Sequence, residues 1–66
     1  MTDETRKSIE NFINIRYKAY IENMYAERDF AERCKGEVIG AMHVLNEFGY
    51  YCDREGDNYD WRIVGD

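Results

Sequence analysis

The chain has 66 residues, of which 44% are hydrophobic and 15% aromatic, with no proline and a formal net charge of −5. This composition excludes a disordered tail, and the lack of any apolar stretch near 20 residues excludes a transmembrane segment. The first thirty residues alternate charged and apolar groups, without the apolar centre of a secretory signal. We therefore expect one cytoplasmic domain over residues 1–66.

The excess negative charge lies in the second half of the chain. Residues 1–35 contain seven basic and seven acidic residues, whereas residues 36–66 contain two basic and seven acidic residues, a net charge of 2 − 7 = −5. A surface that binds nucleic acid needs basic side chains to displace the counterions of the phosphates. We therefore expect no direct binding to DNA or RNA.

The first predicted element is helical and covers most of residues 3–48. Thr2 or Asp3 can cap its start. From Ile13 to Phe48, apolar residues recur at alternating steps of four and three, interrupted only by Glu27. This spacing is typical of the apolar seam of a helix. A single helix of that length would measure about 68 Å, too long for so small a domain, so we expect a break.

Two positions for the break are open. Near residues 26–29, Asp29 and Glu32 resemble the capping box of a second helix. Alternatively, the break falls at 35–37, leaving a long first helix whose exposed seam needs a second copy of the chain. The pattern favours this later break and a homodimer. The expected dimer interface combines seam residues with two glycines spaced four apart: Tyr17, Tyr20, Met24, Gly36 and Gly40.

The chain after the helical region is predicted to form a β-hairpin. Gly49 can end the last helix in the left-handed conformation. Strands are expected over 50–54 and 59–64, on either side of the turn residues 55–58. The predicted fold class is thus α+β and mostly α, with one or two helices followed by a two-stranded antiparallel hairpin.

The register of the hairpin is left open by the sequence. A two-residue turn pairs Arg54 with Tyr59 and places Asp53 opposite Asp60, which is unfavourable for two like charges. A three-residue loop pairs Arg54 with Asp60 instead. In the first register, one face carries Tyr50, Cys52, Tyr59, Trp61 and Ile63, and the other carries Tyr51, Asp53, Asp60 and Arg62.

The residues best suited to catalysis or metal binding are Cys34, His43 and Cys52. They are spaced nine apart and include no CxxC pair, a pattern unlike that of structural zinc sites. No nucleophile elbow, phosphate loop or dinucleotide fingerprint is present. We therefore expect a non-enzymatic protein without metal or cofactor, with free thiols as the simplest state of the cysteines.

The acidic hairpin is the predicted partner-binding site. A dense negative patch is steered towards a positive groove and competes there with phosphates. Tyr51 is expected to be exposed on the acidic face. The candidate partner-binding residues are Tyr51, Asp53, Glu55, Asp57, Asp60 and Arg62.

Residues 34–50 contain a Lys-Gly-x-x-x-Gly step and end in Phe-Gly-Tyr. In both features this quarter of the chain resembles small accessory proteins of bacteriophages and mobile elements. The resemblance implies a short cytoplasmic protein that acts by binding a host or defence protein, and it transfers no catalytic residue. The predicted function is a protein-binding module of the phage inhibitor type, such as an anti-CRISPR protein that blocks the nucleic-acid groove of a host enzyme.

Two alternatives come from other functional classes. A winged-helix DNA-binding regulator has a similar order of elements, but its recognition helix should be basic, and residues 37–48 contain no Lys or Arg. The other alternative is a structural dimerisation protein.

Overall fold

The computed structural model describes residues 1–54 and 60–65. Helix α1 spans Asp3–Asn23, helix α2 spans Arg28–Glu47, strand β1 spans Tyr50–Arg54 and strand β2 spans Trp61–Gly65. The two helices pack side by side, and the antiparallel hairpin lies across them with β1 on α2 and β2 on α1. The predicted fold class is therefore confirmed.

Helix α1 begins as its polar first residues predict. The hydroxyl of Thr2 accepts a hydrogen bond from the backbone N–H of Thr5 at 3.1 Å, so Thr2 rather than Asp3 is the N-cap. Asp3 and Glu4 follow in the first turn, where the positive end of the helix dipole favours carboxylates.

The break between the helices falls at residues 24–27, so the expected later break at 35–37 is wrong. Met24 still has helical backbone angles, and Glu27 interrupts the helix with φ −128° and ψ 67°. No side chain caps α2 at Glu27, and Asp29 lies within the first turn of that helix. The turn therefore forms without a turn residue or a capping box.

Burial of the predicted seam explains why the chain turns there. Folding α2 back onto α1 buries five seam residues: Ile13, Ala31, Cys34, Val38 and Leu45. Each large apolar side chain removed from water contributes about 1.5–3 kcal/mol, more than the few tenths that helix propensity supplies per residue. The middle of the seam is therefore closed within one chain, whereas its last residue, Phe48, stays exposed.

The end of α2 agrees with the prediction for Gly49. Its φ is +87°, a left-handed conformation that glycine adopts without a steric penalty. The backbone N–H groups of Phe48 and Gly49 donate to the carbonyl oxygens of Leu45 and Asn46 at 3.0 and 3.1 Å. The chain then enters β1 directly.

The hairpin register differs from both predicted registers. Arg54 pairs with Trp61, Asp53 with Arg62 and Cys52 with Ile63. Strand β2 therefore begins at Trp61 rather than at residue 59. Tyr59 and the turn residues 55–58 lie outside the described residues.

The shift from the two-residue-turn register is two positions, and this preserves the predicted faces. Side chains alternate along a strand, so a shift by an even number leaves each residue on its original side. The shift also places Asp53 opposite Arg62 instead of Asp60. An attractive pair thus replaces the like-charge pair that made the predicted register unfavourable.

The hydrophobic core lies where the three layers of side chains meet. It is formed by Ile13 of α1, Val38 and Leu45 of α2, and Ile63 of β2. Tyr17, Met42 and Trp61 are among the partly buried residues that pack around it. With Ala31 and Cys34, six apolar residues of the described chain are buried, a thin core as expected for a chain of this length.

Candidate protein-binding surfaces

The inner face of the hairpin is fixed to α1 by polar contacts. The Asn14 side-chain amide donates to the Trp61 carbonyl oxygen at 3.0 Å, and its Oδ1 accepts from the Trp61 backbone N–H. Arg6 Nη1 donates to the Ile63 carbonyl oxygen at 2.8 Å. Three backbone groups of β2 are therefore bonded to side chains of α1, which fixes the position of this strand on the helix.

A second anchor lies near the loop end of the hairpin. Arg54 Nη1 donates to the Tyr17 hydroxyl at 2.9 Å, and its guanidinium lies 5.5 Å from the Tyr17 ring centroid and 5.2 Å from that of Trp61. The two rings contact each other edge to face, with centroids 5.6 Å apart. Arg54 is thus held against the helices by cation–π and hydrogen-bonding contacts.

The outward side of the strands, together with Asp60 directly before β2, forms a surface that we name the hairpin outer face. Tyr51 is 55% exposed, as predicted, although Tyr25 in the helix turn is more exposed at 89%. Asp53, Asp60 and Arg62 are exposed as well, and Asp53 Oδ1 accepts from the Arg54 backbone N–H at 2.9 Å. The predicted site residues Glu55 and Asp57 lie outside the described residues.

The residues predicted for a dimer interface are divided between two environments. Tyr17, Tyr20 and Met24 are half-buried, and the rings of Tyr17 and Tyr20 lie 6.1 Å apart. Gly36 and Gly40 lie within α2 and are exposed, and an added Cβ at either would meet nothing within 4 Å. The glycines therefore neither begin a loop nor allow a close approach of α1.

An apolar surface that sequence reasoning missed lies where the two helices meet on one side, and we name it the open helical face. It comprises Ile9, Phe12 and Arg16 of α1, and Glu37, Ala41, Val44 and Phe48 of α2 and its C-cap. The ion pair between Arg16 Nε and Glu37 Oε2, at 3.6 Å, connects the two helices across this face.

At one end of the open helical face is a cavity of about 450 Å³ lined by Ile9, Val44, Phe48 and their neighbours. Phe48 is 75% exposed and Val44 is 58% exposed. Phe48 was expected to be the last residue of the buried seam. Phe48 follows the end of α2 at Glu47 and has non-helical backbone angles of φ −100° and ψ 12°, so its ring leaves the buried row of the helix.

The thiols and the histidine do not form a reactive group. Cys34 is buried, Cys52 is half-buried, both are free, and His43 is exposed. Burial raises the pKa of Cys52, and the carboxylate of Glu10 raises it further. A raised pKa leaves less of the nucleophilic thiolate at neutral pH.

Over residues 1–54 and 60–65, no group of three or more His, Cys, Asp or Glu side chains is placed to hold a metal ion. In the same part of the chain, neither helix has the length and apolar character required to cross a bilayer.

Comparison with protein-family models, curated proteins and solved structures finds no match to this chain. The function is therefore argued from the surfaces described above.

Proposed function

We propose that the protein is a non-catalytic protein-binding module that places its acidic hairpin in a basic groove of a partner protein. The observation that supports this proposal is the exposure of Tyr51, Asp53 and Asp60 on a hairpin whose other side is fixed to the helices. A rigidly held surface loses little conformational entropy when it binds.

Charge and side-chain type both suit such a partner. The net charge of −5 in residues 36–66 attracts a positive groove and accelerates encounter with it. Tyr51 adds an amphipathic ring next to the carboxylates, and tyrosine is enriched among the residues that dominate binding energy. Because Arg54 lies against Tyr17 and Trp61, its charge is directed towards the helices rather than the outer face.

The class of partner is inferred from the ligand that a basic groove normally binds, which is nucleic acid. Carboxylates on the hairpin compete with phosphates for the same basic side chains, so binding blocks nucleic acid without any chemical step. We assign the protein to the inhibitors of the phage type, with an RNA-guided nuclease of the CRISPR type as the model target. Two free thiols fit the reducing cytoplasm in which such a target occurs.

Competition with DNA tests the proposal. The tagged protein captures proteins from a host lysate, and a short duplex DNA is then added at low salt. We expect the captured partner to be released by the DNA, and the double variant Asp53→Asn, Asp60→Asn to capture it at least 10-fold less. The variant removes two charges but keeps the side-chain shapes.

The matched control removes the same number of charges from the helices. Glu22→Gln with Glu32→Gln changes two exposed carboxylates away from the hairpin and should leave capture unchanged. If both double variants lost capture equally, the net charge of the chain, and not the carboxylates of the hairpin, would account for binding. Capture that DNA does not reverse would contradict binding in a nucleic-acid groove of the partner. A gel shift of DNA by the protein alone would contradict inhibition through a partner protein.

A further inference from the structure

The open helical face exposes several neighbouring apolar side chains to solvent. Phe12, Val44 and Phe48 are all at least 40% exposed, and Ile9 and Ala41 lie half-buried between them. A phenylalanine side chain offers about 150–250 Å², of which 40% is exposed at Phe12 and 75% at Phe48, so together with Val44 the face exposes roughly 300 Å² of apolar surface. Contiguous patches of this size on small proteins commonly mark interaction sites.

The face supplies more than half of the apolar area of a standard interface. A standard interface buries about 800 Å² per partner and is roughly 60% apolar, so each copy must supply on the order of 500 Å² of apolar surface. The open helical face supplies roughly 300 Å² of this area. Met1, which is 44% exposed and lines the same cavity, adds to it.

The charges next to the face permit a contact between identical surfaces. Arg16 is paired with Glu37, so the residues that define the face carry one charge of each sign. In a two-fold symmetric contact the same patch meets itself, and a patch of one sign would repel its copy. Here the basic groups of one copy can face the acidic groups of the other.

Asp53 and Asp60 lie near the other end of β1. Tyr50 lines the same cavity as Phe48, and Arg54 reaches Tyr17, eight residues or about 12 Å along α1 from Ile9. Asp53 and Asp60 are therefore remote from the cavity end of the face. Two chains of net charge −5 can meet at this end while their acidic hairpins point apart.

From these observations we propose that the open helical face binds a second copy of the chain and forms a two-fold symmetric dimer. Val44 and Phe48, the most exposed apolar side chains of this face, lie within the contact. Gly36 and Gly40 continue the row of Val44 along α2 at steps of four, and their bare surfaces give the partner helix room to approach. The inference is independent of the proposed function, since the hairpin outer face takes no part in it.

Sedimentation equilibrium over a range of concentrations tests the dimer. We expect the weight-average mass of the wild type to rise from 7.9 kDa towards twice that value. The double variant Val44→Glu, Phe48→Glu should weaken association about 100-fold, because two unpaired carboxylates would be buried in each half of the contact. The milder variant Phe48→Ser should weaken it to a smaller extent, and circular dichroism shows that each variant is folded.

Tyr25→Glu is the control. It adds one carboxylate, against two in the double variant, at the most exposed aromatic residue of the described part of the chain, in the turn at the other end of the helices. Association equal to that of the wild type is expected. A wild type that stays at 7.9 kDa at every concentration overturns the dimer, whatever other molecule the face binds. A dimer that tolerates the Val44 and Phe48 substitutions, or that Tyr25→Glu weakens equally, overturns this interface.

Discussion

The side chain of Asn14 forms two hydrogen bonds with the backbone of Trp61, one as donor to the carbonyl oxygen and one as acceptor from the N–H. A primary amide can donate and accept a hydrogen bond at once, so it forms the bonds that a neighbouring strand would otherwise form. Trp61 forms the last pair of the ladder with Arg54. One helical side chain therefore determines where the loop end of the hairpin lies on the helices.

Replacing Asn14 with alanine should destabilise the fold by about 1–3 kcal/mol, because a part-buried N–H and carbonyl of Trp61 would lose their partners. Urea denaturation followed by circular dichroism measures the change. Asn11→Ala is the control, since Asn11 is exposed on the same helix. If the two variants unfold at the same urea concentration, the amide bridge does not fix the hairpin.

The helices and the strand β1 could be predicted from the sequence because their signals are periodic. The seam from Ile13 to Leu45 supplied the core, and the change of period after Gly49 located the hairpin. The helix break could not be located, since Glu27 is an ordinary helical residue whose conformation follows from the packing of distant residues. Tertiary burial here outweighs local propensity.

The candidate sites divide in the same way. The exposure of Tyr51 and Asp53 could be predicted from the alternation of side chains along a strand. The prediction holds because the observed register differs by two residues, an even number, from the register with a two-residue turn. Asn14 gave no signal, because a single polar residue between Ile13 and Ile15 does not reveal which strand it will reach. The exposure of Phe48 could not be predicted from its place in the apolar series, since the series does not show that α2 ends at Glu47.

The hydroxyl of Tyr17 provides a test of the contact with Arg54. Tyr17→Phe keeps the ring against Trp61 but removes the acceptor of the 2.9 Å hydrogen bond, so we expect a loss of about 1 kcal/mol in unfolding free energy. Tyr25→Phe removes a hydroxyl from a side chain that is 89% exposed and should change stability by less than about 0.5 kcal/mol. Equal effects of the two substitutions would show that the Tyr17–Arg54 contact adds nothing to stability.

The thiol of Cys52 should react more slowly with iodoacetamide than an exposed thiol at the same pH. Its pKa is raised by burial first and by Glu10 second. Glu10→Gln removes the second cause and should move the alkylation profile of Cys52 to lower pH, while Glu22→Gln should not. Peptide mapping by mass spectrometry separates Cys52 from the buried Cys34. A Cys52 profile unaffected by Glu10→Gln would contradict the electrostatic contribution.

The raised pKa of Cys52 also predicts that the free energy of unfolding decreases at alkaline pH. A raised pKa in the folded state means that the folded chain holds the Cys52 proton more tightly than the unfolded chain. The resulting stabilisation is complete below the pKa of the unfolded thiol and is lost as the pH rises above it. Denaturation midpoints of the wild type should therefore fall at alkaline pH more steeply than those of Cys52→Ser, and parallel profiles would contradict the linkage.

The glycines of α2 are predicted to respond to substitution in the opposite direction from Gly49. Gly36 and Gly40 are helical, and a Cβ at either meets no atom within 4 Å, so each change to alanine should stabilise the monomer by about 1 kcal/mol. Gly49→Ala should destabilise it by about 1 kcal/mol or more, because φ is +87° there.

Thermal unfolding at concentrations where the wild type is monomeric measures these three changes. Stabilisation by Gly49→Ala would show that the helix does not end in a left-handed residue. Destabilisation by Gly40→Ala would show that the glycine surface is covered within one chain, which would remove it from any contact between copies. If Gly40→Ala instead stabilises the monomer and weakens association, the glycine is retained at the expense of helix stability, because the second chain packs against it.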